Sequence, residues 1–263
     1  MNSANGVCAS GTPVPSFRLE GVFRQWEERI AVKNLSLDIK PGEIVALVGP
    51  SGGGKSTLIR MLAGVLRPSK GTVRVDNRDI STFSSKELRE HRAMCRIVEQ
   101  NHLLVPQLSV HQNTVAGQTP YWPWYKVTAS ALWPLEKKRV RSLLDMLGIG
   151  EHQWRLTSEL SGGQMQRVTI ARALISEPVA LLADEPTASL DPVTAKSVTD
   201  IILTEARKRH VTLVFCTHWL DMVLDRVDRV IGLREGCLVL DAKPSELTKT
   251  ALDYVYEGSR ERI

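Results

Sequence analysis

The sequence predicts an α/β fold with a mostly parallel sheet covered by helices on both faces. Three observations lead there. Strand-length apolar runs such as "IVALVG" (44–49), "VALLA" (179–183) and "VTLVFC" (211–216) alternate with helical patterns. The runs are apolar nearly throughout, as strands buried on both faces are. The stretch "GPSGGGKST" (49–57) joins a strand to a helix through a glycine loop of the kind that grips phosphate.

The chain has 263 residues, of which 43% are apolar and 24% charged, enough for one large domain with a real core. Its net charge of +5 reads as ordinary solubility, because no run of Lys and Arg exceeds "KKR" (137–139). Cys8, Cys95, Cys216 and Cys237 form no C-x-x-C pair, which argues against a zinc site or a disulfide framework and suits a reducing cytoplasm. No apolar run approaches the roughly 20 residues that span a bilayer, and the N-terminus has no signal-peptide pattern. A soluble chain is expected.

Residues 1–16, small, polar and proline-containing, read as a flexible leader. "FRLEGVF" and "AVKNLSLDI" read as strands around a turn at "WEER", and "PGE" (41–43) turns the chain into the buried strand 44–49. The helix after the glycine loop is expected to carry Leu58, Met61, Leu62, Val65 and Leu66 on one face, ending before Pro68. A hairpin over 71–80 and a helix through about Arg92, capped by Ser84 and Glu87, follow. Residues 101–158 hold few strand signals, an aromatic cluster "YWPWY" (121–125) and a helix near 135–147 stopped by Gly148. Alternation then resumes: a helix to about Ser176, a strand 179–183, a helix opened by Asp191 and Pro192, and a strand 211–216. A helix near 219–225, a strand 229–233 and "GCLVLDA" complete the pattern.

The chemistry concentrates in a few stretches. In G-x-x-x-x-G-K-S, from Gly49 to Ser56, the glycines let backbone wrap phosphate, Lys55 reaches the β- and γ-phosphates, and the Ser56 hydroxyl suits Mg²⁺. "VALLADEP" ends a buried strand in two acids. Asp184 is expected to face the loop and hold Mg²⁺ through water, and Glu185 to point at the γ-phosphate, where it activates the attacking water. "LSGGQMQR" (160–167) again sets a serine and glycines before a helix, a second anion-binding arrangement in a chain that already has one.

That second loop resembles the signature motif of ATP-binding-cassette (ABC) transporter ATPases. The order of the glycine loop, Gln100 in "RIVEQNHLL", the signature, "LLADEP", "ASLD" (188–191) and "FCTHW" with His218 resembles that family over about residues 17–256. The resemblance implies a P-loop NTPase fold: a RecA-like, mostly parallel core (17–100 and 166–250) with a small antiparallel β subdomain, an inserted α-helical signature subdomain (101–165) and a short tail (251–263). It implies ATP and Mg²⁺ as ligands, with Gly49, Pro50, Ser51, Gly52, Gly53, Gly54, Lys55, Ser56 and Thr57 around the nucleotide. It further implies a head-to-tail homodimer in which Ser161, Gly162, Gly163 and Gln164 serve the partner's ATP. Gln100 then ligates Mg²⁺ with Ser56 and Asp184, and Glu185 and His218 act on the γ-phosphate. Asp191 belongs to the interface loop or is a helix N-cap. Trp26 stands where the family usually has a tyrosine stacked on adenine; the alternative is a core residue of the small sheet. Glu99 and Met165 depart from the family's usual residues at their positions without removing a phosphate contact. His91, His102 and His111 read as surface or packing residues.

Within the family, "ADEPTASLDP", "VIGLREGCLVLDAKPSEL", "ALDYVY" and the long tract between Gln100 and the signature resemble phosphonate-import cassettes. That implies permease subunits in the membrane, a solute-binding protein engaged indirectly, no nucleic acid, and a peripheral place on the cytoplasmic face of the inner membrane. A lipoprotein-release or cell-division cassette and a soluble nucleic-acid-associated ATPase are the alternatives. The Trp-rich tract 119–134 reads as a partner-facing surface or as an insertion folded on itself.

Overall fold

The protein is described from a computed structural model, which covers residues 11–27, 29–99, 103–188 and 190–257. Gln100, Cys8 and His102 lie outside the described residues.

Strand β3 (Ile44–Val48) is the centre of the molecule. Ile44, Ala46 and Val48 point into one core and Val45 and Leu47 into the other, so the strand is buried on both faces. The larger sheet runs β10 (Cys237–Ala242), β9 (Arg229–Arg234), β3, β8 (Thr212–Cys216), β7 (Ala180–Ala183), β6 (Cys95–Val98). Every pairing is parallel except β10 with β9. A smaller antiparallel sheet has the order β2 (Arg29–Ile39), β1 (Phe17–Trp26), β4 (Lys70–Val75), β5 (Arg78–Asp79). It closes one core with Phe17, Leu19, Val32 and Leu35, across α1 (Lys55–Leu62).

The other core takes α6 (Gly162–Leu174), α7 (Pro192–Arg209) and α8 (Lys249–Tyr256). Between β6 and α6 the chain is helical. α3 (Val110–Val115) and α5 (Lys137–Met146) carry Val110, Val115, Val140 and Leu144 into that same core, and α4 (Trp124–Leu132) comes between them in the chain. α2 (Ser85–Met94) begins at Ser84 with the capping box its sequence announces.

Two expectations shift, and one open reading resolves. The helix after the glycine loop stops at Leu62, because Gly64 turns to φ +67°; Val65 is left exposed rather than on the helix's apolar face. The helix near 219–225 is only a single 3₁₀ turn, Leu220–Met222. His91 and His111 are buried packing residues: His91 bonds the Leu62 carbonyl oxygen at 2.8 Å and His111 stacks on Trp154.

Phe215 on β8 is fully buried in the core beneath α7. Phe215→Ala is expected to lower the unfolding free energy by about 3–5 kcal/mol, measured by urea denaturation, through lost burial and the cavity left behind.

Candidate active site

The site stands at the carboxyl ends of β3 and β7, where parallel α/β sheets bind their ligands. Gly49 leaves β3 at φ +140°, and a Cβ there would lie 2.0 Å from the Leu233 carbonyl oxygen. Gly54 sits at φ +106°, with a Cβ position 2.6 Å from the Ala31 carbonyl oxygen. Neighbouring backbone therefore presses on the loop from two sides and only glycine fits. The loop ends as the N-terminus of α1, whose first N–H groups face an incoming anion.

Ser51, Gly52, Gly53, Gly54, Lys55, Ser56 and Thr57 line a cavity of about 370 Å³ with Asp184, Glu185, Trp26, Arg29 and Ala31. Gly49 and Pro50 stand behind it: their carbonyl oxygens accept from Lys55 Nζ at 2.6 and 3.1 Å. Lys55 is 4% exposed, and its ammonium lies 3.6 Å from Glu185 Oε1.

The two acids differ sharply. Asp184 is buried, and burial raises its carboxyl above the usual range against the opposing hydrogen bond from Ser56. Glu185 stands at φ +50°, a strained conformation for a glutamate. Its Oε1 lies 2.8 Å from His218 Nε2. That bond first, then the His218 and Lys55 charges, hold its carboxyl below the usual range. His218 follows β8 and reaches Glu185 without lining the cavity itself.

Trp26 is 43% exposed, so it is not a core residue of the small sheet. Arg24 covers its ring at 4.6 Å. Two residues of the wall carried no motif: Arg29 and Ala31. The hairpin register pairs Trp26 with Arg29 and brings the latter to the cavity. The Arg29 guanidinium lies 3.0 Å from where a Gly52 Cβ would stand, and no ion pair joins it to another described residue.

Ser161, Gly162, Gly163 and Gln164 line no part of that cavity. Ser161 caps α6: its Oγ accepts from the Gln164 N–H at 3.3 Å, and Gln164 Oε1 accepts from the Ser161 N–H at 3.0 Å. Ser161 and Gly162 are exposed, and a Cβ on Gly162 would meet nothing within 4 Å. Asp191 is the N-cap of α7, accepting from the Thr194 N–H at 3.0 Å, which depresses its carboxyl pKa.

A parallel sheet bearing a glycine loop, a buried lysine and two strand-end acids defines a P-loop nucleotide-hydrolysing fold. The chain belongs to the ABC transporter family, as an ATP-hydrolysing cassette: the family model for ABC transporters matches residues 32–188. A phosphonates import ATP-binding protein PhnC from Anaeromyxobacter dehalogenans is 42% identical over 94% of this chain, which spans only 49% of that relative. The PhnC of Wolinella succinogenes is 37% identical over 91% of the chain and is itself 87% covered. Among solved structures, the dimeric, post-hydrolysis ATP-binding cassette MJ0796 bound to ADP and Pi superimposes with a TM-score of 0.75. It is 30% identical, over 87% of this chain and 98% of that one.

Two outcomes test the geometry. Arg29→Ala is expected to weaken ATP binding about tenfold, the scale of one charge-assisted hydrogen bond, while leaving adenosine binding unchanged; titration of both ligands checks it. Glu185→Gln removes a carboxyl whose native pKa lies below its unfolded value. Such a group stabilises the fold above the unfolded value, about 4.3, and loses that contribution as pH falls through the native one. Denaturation of the nucleotide-free chain should therefore show a gap between wild type and Glu185→Gln at neutral pH that closes in acid.

Proposed function

We propose that the chain powers an importer of phosphonates or a related small oxyanion, as a homodimer on the cytoplasmic face of the membrane. The observation that carries the ATP-sandwich part is the separation of the two glycine loops. The signature loop lies open to solvent and takes no part in its own chain's nucleotide cavity, which suits service to a partner's. The solute is supported by the relatives named phosphonates import ATP-binding proteins, whose similarity covers more than nine-tenths of this chain. Those names favour an importer over a lipoprotein-release, cell-division or nucleic-acid-associated cassette. Among the described residues no helix is long and apolar enough to cross a membrane, so the span belongs to permease subunits in this reading.

In this reading ATP enters with its base against Trp26 and its phosphates along 51–57. Lys55 turns from Glu185 to the β- and γ-phosphates. Glu185 accepts a proton from water as the water oxygen bonds the γ-phosphorus and the bond to the ADP oxygen breaks. His218 orients the Glu185 carboxylate. Ser161 and Gly163 of the second copy donate to the γ-phosphate from the opposite side. The Ser56 hydroxyl and the Asp184 carboxylate, hydrogen-bonded to each other, form an all-oxygen pair that fits Mg²⁺, with Gln100 as the further ligand in this reading. Bound there, Mg²⁺ supplies neutralisation of phosphate charge. Asp191 holds the start of α7 at the dimer interface.

Mixing two inactive variants tests the sandwich. Lys55→Ala removes a preorganised cation, and Ser161→Arg blocks the partner's loop; each homodimer is expected to lose activity a few hundred-fold, the scale of about 3–4 kcal/mol. Their heterodimer has one site with both lesions and one with neither. ATPase activity well above both homodimers supports service in trans. Activity no higher than theirs, with ATP-dependent crosslinks between cysteines placed at positions 51 and 161 forming only within a chain, rejects it. Reconstitution with the permease and binding protein, and uptake of labelled phosphonate, tests the solute.

A further inference from the structure

The helical segment keeps one aromatic and turns others outward. Trp122 packs against the core, with Lys126 Nζ 4.3 Å from its ring centroid. Trp124, Tyr125 and Trp133 are 79%, 62% and 65% exposed. Trp124 and Tyr125 open α4, with Thr128 exposed on the same face, and Trp133 closes it at the C-cap. Three large rings facing water within ten residues of chain are more than a soluble surface ordinarily leaves bare.

Charge says what covers them. No Asp or Glu occurs between Glu99 and Glu136. The bases beside the rings are Lys126 on α4 and Lys137 and Lys138 at the start of α5; the latter two are exposed. Arg139, next along, is held by Glu177 at 2.8 Å. Protein interfaces are depleted in lysine, whereas Trp and Tyr beside several lysines, with Glu136 the one acid in the turn between Trp133 and Lys137, is the composition of a surface that seats at the headgroup level of an anionic bilayer.

We propose that α4 and the turn into α5 form a membrane-surface contact, Trp124, Tyr125 and Trp133 seating among the headgroups of an anionic bilayer while Lys126, Lys137 and Lys138 meet lipid phosphates. The contact adds lipid to the cassette's attachments and orients the helical segment toward the bilayer. None of the six residues lines the nucleotide cavity. Vesicle binding is measured without solute uptake, so this inference and the transport reading fail separately.

The experiment uses the full chain with vesicles of phosphatidylcholine alone or mixed equally with phosphatidylglycerol. Wild type is expected to co-sediment with the anionic vesicles and release in high salt, and brominated acyl chains should quench its tryptophan fluorescence. Trp124→Ala/Tyr125→Ala/Trp133→Ala should lower binding at least tenfold at unchanged basal ATPase activity, which also reports that the variant is folded. Lys137→Gln/Lys138→Gln should lower binding to anionic vesicles about 25-fold, near fivefold per lysine, and leave phosphatidylcholine alone unaffected. The inference is overturned if wild type binds neither vesicle or if both variants bind as wild type does. It is also overturned if the rings govern only co-purification of membrane proteins in lipid-free detergent. Quenching of the wild type and the lysine pair decide the matter even if the triple variant does not fold.

Discussion

A buried ammonium must have partners, and the Lys55 side chain dictates much of what surrounds it. Its Nζ is held by the carbonyl oxygens of Gly49 and Pro50 and faces Glu185. Those carbonyls converge only because the loop folds back on itself, and it folds back because Leu233 and Ala31 backbone leave no room for side chains at Gly49 and Gly54. The parallel order β9-β3-β8-β7 brings these contacts to one end of the sheet.

The same loop is tied to α8. The Gly49 N–H donates to Tyr256 Oη at 3.3 Å, so α8 holds the turn where β3 gives way to the loop. On the far side, the seam between β6 and the helical segment is held largely by guanidinium groups on backbone carbonyls. Arg96 donates to Gly117 and to the Ser176 hydroxyl, and Arg172 donates to Leu103. Burial there lowers the pKa of both arginines. A polar seam of this kind separates at less cost than an apolar one.

The parts of the fold written in local pattern were legible. β3 and β7 are apolar throughout and β8 is apolar after Thr212, and the caps at Ser84 and Asp191 carry their own donors and acceptors within four residues. What depended on distant contacts was not. β6 is four residues long, with Arg96 and Ile97 only half-buried, and shows no period of its own; its pairing with β7 makes it a strand. Nothing local in "EERIA" marks Arg29 as a wall of the site, because its place comes from the hairpin register with Trp26. The motif identified Glu185 as an acid near phosphate, but its strained φ carries no local signal and its bond to His218 joins the ends of two strands across 33 residues of chain. The exposed rings of α4 read from sequence as either a surface or a self-packed insertion, and the fold resolves them one by one: Trp122 inward, Trp124 outward.

The opposite shifts of Asp184 and Glu185 bear on how two adjacent acids divide one task. Burial makes Asp184 reluctant to ionise alone, and only a cation or donors nearby would hold its charge; the Ser56 hydroxyl is already one such donor. Glu185 is the reverse, a carboxylate stabilised by His218 and Lys55 and therefore a weak base as it stands. In the proposed cycle the phosphates of ATP compete for Lys55. Once the ammonium turns to them, Glu185 loses one of the charges that depress it and becomes more basic while His218 still orients it. Base strength thus rises when substrate is in place, and a water that enters without nucleotide meets a carboxylate already occupied. The strained φ of Glu185 fits this arrangement, since it keeps the side chain aimed past β7 toward both its partners instead of folding back into the turn.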